Sequence, residues 1–130
     1  MSGTQGYVAL EWIRAELETT LHNAQAELEA VSESADATTS MRTCLTAIHQ
    51  VHGTLKMVQL EGPTQVAAEM EQVAQSLMNN SITEVRSAQE TLMQAILQLP
   101  AYLDRLHREQ EDAEKNYLPL VNSLRAVRGE

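Results

Sequence analysis

Phenylalanine is absent, and aromatic residues make up only 3% of the 130-residue chain: Tyr7, Trp12, Tyr102 and Tyr117. Glycine numbers 5 and proline 3. Sheet proteins draw on aromatic and turn-forming residues, so this scarcity favours helices built from Leu, Ala, Glu, Gln and Met. Cys44 is the single cysteine. That excludes an intrachain disulfide and a multi-cysteine metal site, and a reducing compartment fits best. Positive charge is also scarce: 9 Lys and Arg against 18 Asp and Glu leave a formal net charge of -9. This balance argues against an electrostatic nucleic-acid binder or a basic membrane-surface module. No run reaches the roughly 18 apolar residues of a membrane span, so no direct membrane insertion is expected. The first six residues carry neither positive charge nor an apolar signal core, and the expected location is cytoplasmic.

The length supports one domain over residues 1–130. Residues 1–6 read as a frayed start. Val8, Trp12, Leu17, Leu21, Ala24, Leu28 and Val31 recur at helical intervals and predict a first helix over 8–32. Residues 32–40 read as a linker. A second helix over 40–60 carries Met41, Cys44, Leu45, Ile48, Val51, Leu55 and Val58. Glu61-Gly62-Pro63 is expected to end it, with Pro63 opening a third helix over 63–78. Asn79-Asn80-Ser81 reads as a turn. A fourth helix over 82–109 is expected to kink or break at Pro100. A charged stretch precedes a short last helix over 117–127, with Pro119 in its first turn. Short connections between long amphipathic helices predict an all-α, antiparallel up-down four-helix bundle with an additional short C-terminal helix.

The chemistry-bearing residues concentrate in Ile48-His49-Gln50-Val51-His52-Gly53-Thr54-Leu55-Lys56. At about 100° per residue, His52 projects into the apolar stripe and His49 just outside it. Gly53 lies one turn below His49. Glycine inside a helix costs about 1 kcal/mol against alanine. A missing side chain beside a surface imidazole leaves room for a partner to approach. An exposed imidazole is also a nucleophile able to take a phosphoryl group from an aspartyl phosphate. A two-histidine metal site finds no carboxylate or cysteine to complete it on this helix, so no metal is expected. Cys44 lies on the apolar stripe and reads as a small buried hydrophobe. Glu69 and Glu71, two residues apart, share no helix face and read as solvated surface. Met57, Met70, Met78 and Met93 read as core filler or, where exposed, as an adaptable binding face. No phosphate-binding glycine loop, zinc-protease motif or nucleophile elbow is present, and no cofactor is expected.

The stretch from Cys44 to Val58 resembles the N-terminal region of the ChpA/PilL family of hybrid chemotaxis-type histidine kinases. It also resembles the related FimL family of scaffold proteins. Tyr7-Val8-Ala9-Leu10-Glu11-Trp12, Ala67-Ala68-Glu69-Met70-Glu71, Leu92 to Arg105 and Leu118 to Glu130 extend the resemblance over nearly the whole chain. It implies the excised N-terminal part of a longer protein, in the signalling system that controls type IV pili and twitching motility.

The same region resembles a divergent histidine phosphotransfer domain. His49 matches the phosphoacceptor and Gly53 the close-approach glycine. His52 stands where the motif has Lys, and Gln59 where it has a second Gly. Lys56 lies one turn beyond the expected Lys. The missing Lys removes positive charge near a phosphoryl group. The resemblance thus implies a docking or scaffold module without catalytic activity of its own, with His49, Gly53 and Lys56 as docking residues. Its alternative is a phosphorelay domain with His49 as phosphoacceptor, and a third reading is a dimerisation or spacer domain. The implied partners are receiver or kinase domains of the pilus chemotaxis system, or pilus-associated scaffold proteins.

Overall fold

Leu10, Leu17, Leu21, Ala24 and Leu28 are all buried. Their steps of seven, four, three and four keep them on one face of a helix. That helix, α1 (Ser2–Val31), is followed by α2 (Ala37–Met57), α3 (Glu61–Met78) and α4 (Val85–Glu109). A 3-10 turn over Glu114–Asn116 leads into the short α5 (Leu118–Ala126). The computed structural model describes residues 2–31, 37–109 and 114–129, with side chains from Val8 onward. Among the described residues there is no strand, and no helix is long and apolar enough to cross a membrane. The all-α expectation and the short C-terminal helix therefore hold.

Helix α1 packs against α2 and α4, and α3 packs against the same two helices. All contribute to one core, in which Leu17, Ile48, Met70, Leu92 and Leu99 are fully enclosed or nearly so. Arg14 of α1 pairs with Asp104 of α4 at 2.9 Å. Helix α5 packs against α3 and α4 through Val121 and Leu124, and Tyr117 stacks on Tyr102 with ring centroids 6.0 Å apart. Arg125 and Arg128 close the attachment: both guanidinium groups donate to Glu69 of α3, at 3.0 and 2.8 Å.

Several boundaries differ from expectation. Residues 2–6 are helical, so α1 begins well before residue 8. Residues 37–40, read as linker, form the first turn of α2, and Ser40 is buried there; residues 32–36 lie outside the described residues. Helix α2 stops at Met57, and the chain reverses at Gln59, whose φ is +61°. Glu61-Gly62-Pro63 does not end α2. It forms the first turn of α3, where the missing N–H of Pro63 leaves no helical hydrogen bond unmade. The turn at Asn79-Asn80-Ser81 is as expected, with Asn80 at φ +58°. Ile82 is buried but precedes α4, which starts at Val85.

Helix α4 runs unbroken through Pro100. An interior proline costs about 3 kcal/mol, but Ile96, Leu99, Tyr102, Leu103 and Leu106 are buried on both sides of it. Each such side chain gains about 1.5–3 kcal/mol on burial, so packing outweighs the local defect. Trp12 and Val8 are a second correction, because both are exposed rather than in the core. The five-residue step from Trp12 to Leu17 turns the helix about 140° away from the buried face. Val85 is likewise exposed.

Two outcomes follow from these contacts. A left-handed backbone costs a non-glycine residue about 1–2 kcal/mol, so Gln59→Gly should raise stability by about 1 kcal/mol in urea unfolding. Hydrogen bonds to charged groups contribute about 1.5–3 kcal/mol, and Glu69 holds two arginines with a side chain only 13% exposed. Glu69→Ala should therefore cost about 2 kcal/mol and selectively speed amide exchange across residues 118–126. Unchanged exchange there would show that apolar packing alone holds α5.

Candidate functional site

The outward side of α2 is set by its inward one. Met41, Cys44, Ala47, Ile48, Val51 and Leu55 are buried, and their mean direction leaves Gly53 opposite the core. His49, as expected, is exposed, with 70% of its side chain open to solvent. His52 is not a core residue. It stands at the edge of the buried stripe with 27% of its side chain exposed. Leu45, at a similar angle, is also only partly buried. The stripe is narrower on this side than the spacing of apolar residues implied.

Glu71 of α3 joins the two histidines. Its Oε2 lies 2.8 Å from Nδ1 of His49 and its Oε1 lies 2.8 Å from Nδ1 of His52. An ionised carboxylate only accepts hydrogen bonds, so both imidazoles donate from Nδ1–H. In the neutral ring this leaves the lone pair on Nε2. Burial is the largest single influence on Glu71 and pushes its carboxyl up. The hydrogen bonds from His52 and His49, with the charges of both rings, together outweigh it and hold the group below its ordinary 4.5. Among the described residues no three metal-ligating side chains gather into a metal site.

Glu69 and Glu71, expected on solvated surface, are instead largely enclosed and paired with basic side chains. They do diverge, as their two-residue spacing requires, but each turns toward a neighbouring helix. Glu71 takes two histidines three residues apart, and Glu69 takes two arginines three residues apart. The i, i+3 pairing of like basic residues was the available signal, since such pairs project to one side of a helix.

His49 and Gly53 line one groove between α1 and α2, with Glu16 and Thr20 on the α1 side and Met57 at one end. A Cβ built on Gly53 would meet nothing within 4 Å. No packing inside the domain therefore requires glycine at this position. Lys56 lies apart from these two, in a separate hollow at the α2–α3 turn with Gln59 and Leu60. The expected docking trio is thus one pair and one separate residue. Cys44 is the buried hydrophobe expected; burial, followed by the charge of Glu27, pushes its thiol up to about 12. Such a thiol is not a nucleophile at neutral pH. Met70 is core filler, whereas Met57 is exposed.

Two measurements probe this geometry. Gly53→Ala should raise stability by about 1 kcal/mol, the helix cost of glycine, because the new methyl clashes with nothing. Glu71 has a lowered carboxyl pKa, so its stabilisation is complete above the ordinary carboxylate value and is lost as pH falls through the lowered one. Glu71→Gln should accordingly be less stable than the parent at pH 7, with the difference shrinking in acid. A difference independent of pH would mean that the charge of Glu71 contributes nothing.

The family model for the FimL C-terminal domain matches residues 6–124. The chain is also similar to the scaffold protein FimL of Pseudomonas aeruginosa strain PAO1, with 25% identity over 126 residues. That alignment covers 96% of this chain and 22% of the relative, so the chain spans about a fifth of the length of the curated protein it matches. No solved structure matches it. The match over residues 6–124 takes in the helices that carry His49, Gly53, Glu69 and Glu71, and the chain belongs to the FimL C-terminal domain family.

Proposed function

We propose that this chain is a non-catalytic docking module within a longer scaffold protein of a chemotaxis-type system controlling type IV pili and twitching motility. Its fold in this reading is an antiparallel up-down four-helix bundle of histidine phosphotransfer type, with α5 added, and its location is cytoplasmic. The partners are receiver or kinase domains of that system, or pilus-associated scaffold proteins. Family membership supports the scaffold role, since the curated relative is itself a scaffold protein. The observation that carries the docking face is Gly53: it is exposed on the wall of a groove, and no internal contact accounts for it. A glycine with a cost of about 1 kcal/mol and no internal return is understandable where another molecule must come close.

A second reading is a phosphorelay domain with His49 as phosphoacceptor. The Glu71 contact favours it, because a carboxylate on Nδ1 fixes the ring and leaves Nε2 as the free nucleophilic atom. Phosphate would come from a kinase domain or be exchanged with a receiver domain, whose acidic pocket would hold Mg²⁺. Against it stands His52, which occupies the position of the motif's Lys and is committed to Glu71. It cannot stand in for a flexible ammonium beside a phosphoryl group.

The two readings separate in one set of assays. Under docking, Gly53→Arg should weaken binding to the system's receiver and kinase domains by about tenfold or more, or about 1.4 kcal/mol. His49→Gln should leave that binding within about twofold, under 0.5 kcal/mol. Incubation with the kinase domain and labelled ATP should give little acid-labile label. Robust label on the parent chain that disappears in His49→Gln would establish the phosphorelay instead.

A further inference from the structure

Val31 and Ala37 line one hollow at an end of the α1–α2 pair, so α2 starts beside the end of α1 and runs back along it. Farther along, Thr20 and Glu16 share a groove with His49 and Gly53. Continuing the same register by one turn on each helix sets Trp12 level with Met57. Both are 83% exposed. Val8, one turn beyond Trp12 on the same face of α1, is 52% exposed. The register thus places three of the large exposed apolar side chains at the same end of the α1–α2 pair, and of these Met57 lines the groove that holds Gly53. A tryptophan is the commonest kind of anchor at a protein interface, and methionine adapts to the shape of what covers it.

Of the glutamates of α1, Glu11 turns toward His107 of α4, and the one arginine of α1, Arg14, is paired with Asp104. Helix α2 contains no Asp or Glu. Glu16 lines the groove near Gly53, and the chain as a whole carries -9. Both walls are helices whose backbone is already hydrogen-bonded, so they offer no edge to a β-strand. An occupant must satisfy its own backbone, and a helix does so.

We propose that the Trp12–Met57 end of the α1–α2 groove binds an amphipathic helix of a partner protein. Its apolar face covers Trp12 and Met57, its backbone passes close over Gly53, and a Lys or Arg on its edge meets Glu16. This rests on the docking reading and names the class of partner element.

Trp12 is the only tryptophan, so its fluorescence reads this site directly. The probe is a peptide of about 18 residues, long enough to form helix, with Leu at i, i+3, i+4 and i+7 and Lys along one flank. A matched peptide carries Glu in place of Lys. The Lys peptide should shift Trp12 emission to the blue, and the Glu peptide should bind at least about tenfold more weakly. Met57→Glu adds a negative charge, so diffuse attraction to an acidic protein would strengthen binding of the Lys peptide. Docking at the groove requires the opposite, a loss of about tenfold or more. Absence of a blue shift, tighter binding by Met57→Glu, or equal binding of the two peptides would overturn the proposal. A blue shift that grows with protein concentration alone would do so too, assigning the face to a second copy. If intact partner domains lose affinity on Gly53→Arg but ignore Met57→Glu, docking stands and the helical occupant falls. If Gly53→Arg has no effect on them either, the docking reading itself falls.

Discussion

One carboxylate, Glu71, ties α2 to α3 in the orientation that the buried stripe of α2 sets. It takes a hydrogen bond from Nδ1 of His49 on one oxygen and from Nδ1 of His52 on the other. Both bonds cross from α2 to α3, so they fix the rotation and register of the two helices as well as the rings. With only 22% of its side chain exposed, Glu71 sits where charge-assisted hydrogen bonds are stronger than in open water. Gly53, one turn from His49 and opposite the buried stripe, forms the wall of the groove with α1.

The second glutamate of α3 repeats the device on the other flank. Glu69 takes Arg125 and Arg128, and so anchors α5. One helix therefore holds two neighbours by the same means, a single carboxylate between two basic residues three positions apart. The α1–α2 side has a different character. It carries the exposed Trp12 and Met57, a glycine that no internal contact requires, and Glu16 on the groove wall. The polar clamps lie on the α3 side and the open apolar surface on the α1–α2 side.

Much of this was legible in the sequence. The apolar periodicities gave five helices in the right order, and the helical projection put His49 outside and Ile48, Val51 and Leu55 inside. The differences have two physical origins, local helix geometry and partners distant along the chain. Trp12 is apolar and lay near the stripe in number, but helix geometry turns it outward. Pro100 has a local preference to break a helix, and packing on both sides overrides it. Gly62 and Pro63 have the composition of a helix end, yet the reversal occurs at Gln59. Glu69 and Glu71 could not be assigned from α3 alone, because their partners lie 19 to 59 residues away.

Glu71 imposes a protonation pattern on both rings, and nitrogen NMR of the histidine side chains at neutral to mildly alkaline pH measures it. Shifts and couplings to the ring protons report which nitrogen carries hydrogen. The hydrogen bonds to Glu71 require His49 and His52 to be Nδ1–H tautomers with Nε2 unprotonated. In Glu71→Gln the amide offers one acceptor and one donor in place of two acceptors, so at least one of the two rings should shift toward the Nε2–H form. Finding His49 and His52 as Nε2–H tautomers in the parent chain would contradict the clamp between α2 and α3.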